Sequence, residues 1–90
     1  MNYIGVKFLN KDENGNLVPR GIEYTFKIEL DKRISYIIGN TIIMSNQYLG
    51  KGLLLTSIMN EGQAARKYPI DGLVELKVEE YDSYERIKNL

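Results

Sequence analysis

TIIMSNQYLGKGLLLTSIM, residues 41–59, holds two apolar runs on either side of a polar junction. Residues 41–44 are largely β-branched and predict a strand. Residues 52–59 predict another, apolar on both faces, with Leu53, Leu55 and Met59 on one and Leu54 and Ile58 on the other. A strand of that kind sits centrally in a sheet or is covered on both sides. The junction is more than a plain turn, because Asn46, Gln47, Tyr48 and Lys51 crowd into it beside two glycines.

Working outward towards the N-terminus, residues 3–9 alternate, with Ile4, Val6 and Phe8 on one face and Tyr3, Gly5 and Lys7 on the other. This is the pattern of a half-buried strand. The following NKDENGNLVPRG reads as a long loop, with Asn14-Gly15 as its turn signal and Pro19 and Gly21 extending it. Residues 22–28 carry the clearest period of two in the chain, Ile22, Tyr24, Phe26 and Ile28 sharing a face. On that face Tyr24 is expected to be a core residue. ISYIIGN, residues 34–40, fits either a strand or a buried turn.

Towards the C-terminus, NEGQAARKYP predicts about one helical turn, started by Asn60 and stopped by Pro69. Val74, Leu76 and Val78 alternate with Glu75, Lys77 and Glu79 and predict a fifth strand. Asp82 and Glu85 have capping-box spacing before RIKNL, which predicts a C-terminal helix. Residues 1–90 therefore read as a single small all-β domain, a five- to six-stranded antiparallel barrel or sandwich with one short helical turn. Parallel pairing would need helical crossovers for which there is no room.

Composition narrows the chemistry. The 90 residues include no cysteine and no histidine, which removes disulfides, thiolate metal sites, the commonest general base and the commonest metal ligand. There is no Ser-His-Asp triad, and Gly50-Lys51-Gly52 lacks the remaining residues of a phosphate-binding loop. Ser45 and Lys51 imitate a Ser-Lys pair, but nothing in the sequence lowers the lysine pKa. These absences predict a protein that is not an enzyme and uses no cofactor and no metal. No apolar run approaches the ~20 residues of a membrane helix, and the N-terminus does not read as a signal peptide, so a cytoplasmic, non-membrane protein is expected. The net charge is zero, but residues 32–67 are mainly basic and residues 71–90 mainly acidic. That polarity and a thin core favour a homo-oligomer, while the balanced total disfavours strong nucleic-acid binding.

Two clusters are candidate binding sites. Asn46, Gln47, Tyr48 and Lys51 combine hydrogen-bonding amides, a ring and a cation, and Gln63, Arg66, Lys67 and Tyr68 repeat the combination. Each also has a plain alternative, a wide hairpin loop and a solvated turn. Arg20, between Pro19 and Gly21, is a weaker third candidate.

The order YIGVKF, EYTFKI, GNTIIM, YLGKGLLLTSI resembles small β-barrel accessory proteins of bacteriophages and mobile elements, over about residues 3–59. It is also similar to the N-terminal small barrel of primosomal helicases. Asn40 stands where the phage group has Asp, and Ser45-Asn46-Gln47 replaces the proline turn of that group. The resemblance implies a non-enzymatic, inhibitory binding protein in the host-cell cytoplasm. Its partner would be a host or defence-system protein, blocked directly, or a small nucleotide signal, sequestered. The competing readings are a single-stranded nucleic-acid-binding barrel and a structural virion component.

Overall fold

The computed structural model describes residues 1–88. Five strands, β1 (Asn2–Lys11), β2 (Leu17–Ile28), β3 (Thr41–Met44), β4 (Gly52–Met59) and β5 (Glu80–Ser83), form one sheet in the order β2-β1-β4-β3-β5. All pairings within it are antiparallel. Helix α1 (Glu61–Lys67) follows β4 and α2 (Tyr84–Lys88) follows β5. The fold is all-β, as its alternating sequence requires. β4, apolar on both faces, is the central strand.

The sheet curls around an inner layer of Ile4, Val6, Phe26, Ile28, Ile43, Leu53, Leu55 and Leu76. It does not close into a barrel. Residues 73–79, expected as the fifth strand, run across the gap between β2 and β3 instead. They make one isolated parallel bridge, between Lys27 and Glu75. The Lys27 amide donates to the Val74 carbonyl at 2.9 Å and the Leu76 amide to the Lys27 carbonyl at 2.8 Å. Farther on, the Glu79 amide donates to the Met44 carbonyl at 2.9 Å, and only then does β5 begin. Of the hydrophobic period, Leu76 is buried and Val78 packs half-buried against the inner layer, while Val74 stays exposed.

The outer face is covered as well, so β1 is not half-buried. Tyr3 packs with Met59 and Ala64 under α1, and Leu9 packs with Ile42 and Leu54 beside Tyr84 and Ile87 of α2. The faces of β4 also differ from strict alternation. Gly5 lies opposite Ser57 and Val6 opposite Leu55, which leaves Thr56 as an extra residue. This bulge swaps the faces beyond it. Ile58 therefore packs with the inner layer and Met59 with the outer one.

The long loop expected at residues 10–21 is a tight hairpin turn. The Asp12 carboxylate accepts from the amides of Asn14 and Asn16, both at 2.9 Å, and Gly15 turns the chain at φ 81°. Residues 17–21 belong to β2, an edge strand, where Pro19 is tolerated because no neighbour needs the N–H it lacks. Residues 34–40 form neither a strand nor a buried turn, but an irregular segment ending in a turn at 38–40, with Ile37 and Ile38 exposed.

Asn60 caps α1 reciprocally with Gln63, and Pro69 follows its end. α2 begins differently from its expected capping box. The Glu85 amide donates to Asn40 Oδ1 at 3.2 Å, and Asn40 Nδ2 donates to Ser83 Oγ at 3.1 Å. Asp82 instead accepts from the Ser83 amide and pairs with Arg86. Asn89 and Leu90, the rest of the expected helix, lie outside the described residues.

Candidate functional site

Where the sheet stays open, between β2 and residues 72–74, there is a groove of about 470 Å³. Phe8, Tyr24, Phe26 and Tyr48 line one side, and Leu73 and Val74 the other. The aromatics are linked edge to face, with ring centroids 5.3 Å apart for Phe8 and Tyr24, 5.6 Å for Phe8 and Tyr48, and 5.3 Å for Phe26 and Tyr48. Edge-to-face contacts of this kind hold rings in fixed positions beyond what area burial alone provides.

Local structure explains how each ring arrives there. Phe8 and Phe26 follow the inward period of β1 and β2. Tyr24 shares the parity of Phe26 but is 44% exposed, so it is not the core residue expected from its strand. The register between β1 and β2 slips between Val6 and Phe8, opposite residues 21–23, and Gly21 there has φ 80°. Ile22 lies within the slip, whereas Tyr24 still pairs in register with Val6 and is exposed at the open edge of β2. Tyr48 comes from a 3-10 turn, Asn46–Tyr48, in which the Ser45 hydroxyl accepts from the Gln47 amide.

That turn is itself tied down. Gln47 Nε2 donates to the Glu75 carbonyl at 3.0 Å, and Gln47 Oε1 accepts from the Lys77 amide at 2.6 Å. The amide of Gln47 thus clasps the bridging segment 73–79 and sets the width of the groove. Ser45 is buried and also donates to Gln47 Oε1 at 3.2 Å, so its hydroxyl serves the turn. The next residue after Tyr48, Leu49, has φ 53° and is 92% exposed. A leucine in the left-handed region is unfavourable, and such outliers point to sites of function rather than of stability.

Lys51 stands beside the groove. With Arg20, Asn10, Phe8 and Tyr24 it lines an adjoining cleft of about 310 Å³. Neither Arg20 nor Lys51 forms an ion pair among the described residues. The fold therefore joins the first candidate cluster to the third, setting two free cations next to an aromatic wall.

The second cluster lies elsewhere. Arg66 and Lys67 are in the last turn of α1, where positive charge complements the helix end. Tyr68 is half-buried against the Tyr3 cluster, and Gln63 Oε1 accepts from the Asn60 amide at 2.9 Å. Tyr48 precedes the start of β4 and α1 follows its end, so the clusters are separated by its 8 residues, about 25 Å of extended chain. Asn46 is exposed on its turn. Phe8, Phe26, Leu73 and Val74 are the groove residues that the sequence reading does not single out as a site. Phe8, Phe26 and Val74 follow the period of two of ordinary strand residues, Leu73 has no signal of its own, and only the missing ladder beside them makes a groove.

A further cleft, about 370 Å³, is acidic, with Glu29, Asp31, Glu75 and Tyr81 in its walls. The Asp31 amide donates to the Tyr36 hydroxyl oxygen at 2.7 Å, and the Tyr36 and Tyr81 hydroxyls are 2.9 Å apart. Burial, with the Tyr36 bond, pushes the Tyr81 hydroxyl well above the usual tyrosine range, so it stays protonated. Asp31 is held below the usual carboxylate range by its hydrogen bonds with Arg33.

Among the described residues no group of three or more Asp or Glu side chains is arranged to hold a metal ion. No helix among them is long and apolar enough to cross a membrane. Set against protein-family models, curated proteins and solved structures, the chain matches none of them.

Proposed function

We propose that this protein is a non-enzymatic binding protein of the kind carried by phages and mobile elements, which inhibits its partner by one-to-one occupation. The observation that supports this reading is the groove. It is a concave, aromatic-walled surface with two cations at its side that form no ion pair among the described residues. Tyr24 and Tyr48 supply apolar area with a polar tip, and Lys51 and Arg20 supply charge. In this reading the partner is a host or defence-system protein, or a nucleotide signal that the protein sequesters.

Arg20 and Lys51 beside an exposed tyrosine also favour a second reading, binding of single-stranded nucleic acid. The net charge of zero and the edge-to-face use of all four rings weigh against it.

Calorimetric titration of wild type, Tyr24→Ala and Lys51→Ala separates these readings. The panel holds nucleotides, cyclic nucleotides, oligothymidylate and candidate defence proteins. The expected result is one-to-one binding of one member, weakened by about tenfold or more in Tyr24→Ala, with no turnover of the ligand. Binding that neither substitution changes, or turnover of the ligand, refutes the proposal. Binding of oligothymidylate alone, fading steeply with salt, selects the second reading.

A further inference from the structure

We infer that the groove takes an extended acidic peptide, which adds a short strand to the free edge of β2. The inference deepens the binding reading above and rests on it.

The argument starts from the backbone. One edge of β2 pairs with β1 along nearly its whole length. The other edge is used only at Lys27, whose N–H and C=O both face residues 74–76. Backbone groups two residues apart on a strand face the same edge. The N–H and C=O of Thr25 therefore face that edge too, and they have no backbone partner among the described residues. Towards the N-terminus the edge is blunted twice, by the irregularity at Gly21 and by Pro19. Thr25 is left as an open rung between a blocked stretch and a closed one.

The groove lies beside this rung. Residues 74–76 pair with β2 in the parallel sense, and an extended chain before Val74 would have continued past Thr25. The 3-10 turn Ile70–Gly72 diverts it instead. The volume of about 470 Å³ lined by Tyr24, Thr25, Leu73 and Val74 is the space left by that diversion. A strand added there makes two backbone hydrogen bonds to Thr25 and turns alternate side chains inward. Inward of the edge stand Phe8, Phe26 and Tyr48, so the inward residue is apolar.

Charge identifies the flanking residues. Arg20 and Lys51, unpaired, border the groove on its β2 side. The nearest acid on β2, Glu23, is turned to the outer face, where it accepts from the Thr56 hydroxyl across Gly5. A peptide with an apolar residue flanked by Asp or Glu complements this surface, and a basic peptide is repelled.

The test is a selection of randomised, displayed seven-residue peptides on the immobilised full chain, followed by fluorescence polarisation with the enriched sequence. Enrichment of an apolar or aromatic residue flanked by Asp or Glu is expected. Thr25→Pro, which removes the outward N–H at an edge position that tolerates proline, is expected to weaken the peptide by about tenfold, the worth of a lost hydrogen bond. If Thr25→Pro does not fold, N-methylation of the peptide at each position in turn reads the same bond from the other side. One position should then lose about tenfold. No enrichment, enrichment of Lys- or Arg-rich sequences, or a flat N-methylation scan overturns the inference. A nucleotide or oligothymidylate that binds in a Tyr24-dependent way, with no peptide enriched, overturns it but leaves the groove as a binding site. Peptide binding unchanged in both Tyr24→Ala and Lys51→Glu overturns the inference and the groove reading together.

Discussion

β1 and residues 73–79 have the same kind of sequence and different fates. Ile4, Val6 and Phe8 alternate with polar or small residues as regularly as Val74, Leu76 and Val78 do. β1 lies between β2 and β4 with ladders on both sides, and Ile4 and Val6 are fully buried. Residues 73–79 have one bridge on one side, a glutamine side chain as their clasp, and one buried residue. Alternation states which side chains face inward. It does not state whether a neighbouring strand is there to take the backbone, and that depends on where the rest of the chain goes. The difference leaves β2 with an open rung and the molecule with a groove.

The comparison implies that β1 belongs to the cooperative unit and that the bridging segment is held more weakly. Ile4→Ala is expected to lower stability most, by about 2–5 kcal/mol, with every probe of unfolding shifting together. Leu76→Ala removes the one buried side chain of the bridging segment and should cost less, about 2–3 kcal/mol. Denaturant titration of both variants checks the order. A Leu76→Ala cost above that of Ile4→Ala would mean that the bridge is as much a part of the core as β1. Gln47→Ala leaves the Glu75 carbonyl and the Lys77 amide to water and should cost about 1–2 kcal/mol. Hydrogen exchange should quicken at Lys77 and Leu76 while the β1 amides keep their rates. Uniform quickening would erase the distinction between the two regions.

The smallest expected effect is at β5, where the bridging segment rejoins the sheet. The hydrogen-bonded Arg86 guanidinium holds the Asp82 carboxyl down to about 2. Its folded-state value is below its unfolded one, about 3.9, so its contribution is present above pH 4 and is lost as pH falls towards 2. The stability difference between wild type and Asp82→Asn should therefore shrink over that interval. A difference that stays constant down to pH 2 would show that Arg86 does not act through the charge of Asp82.

Much of the sheet is readable residue by residue. The β-branched run of β3, the two-faced apolar β4, the Asn60 cap and the Pro69 stop are local signals, and each appears where its chemistry requires it. What misleads is register. A glycine at residue 21 signals an irregularity, but how far the pairing slips depends on β1, and Tyr24 is exposed because it stands at the open edge of β2. Thr56 has no property that marks it as a bulge, because the extra residue exists only relative to Gly5 and Val6. The candidate site follows the same division. Tyr48 and Lys51 stand out in sequence because a turn has no need of a ring beside a cation. Phe8, Val74 and the Thr25 backbone do not, since they belong to the site only through a strand that is absent beside them.

Composition and period thus establish the all-β class, the central place of β4 and the lack of His and Cys chemistry, because these follow from residue type and from neighbours close along the chain. Sheet order, the covering of the outer face by two helices, the separation of the two polar clusters and the open edge at Thr25 come from contacts between residues dozens of positions apart. Gln47 gripping residues 75 and 77, and Asn40 starting α2 at Glu85, are of that kind. Such contacts form only once the whole chain has chosen one path, and no short window of sequence contains both partners.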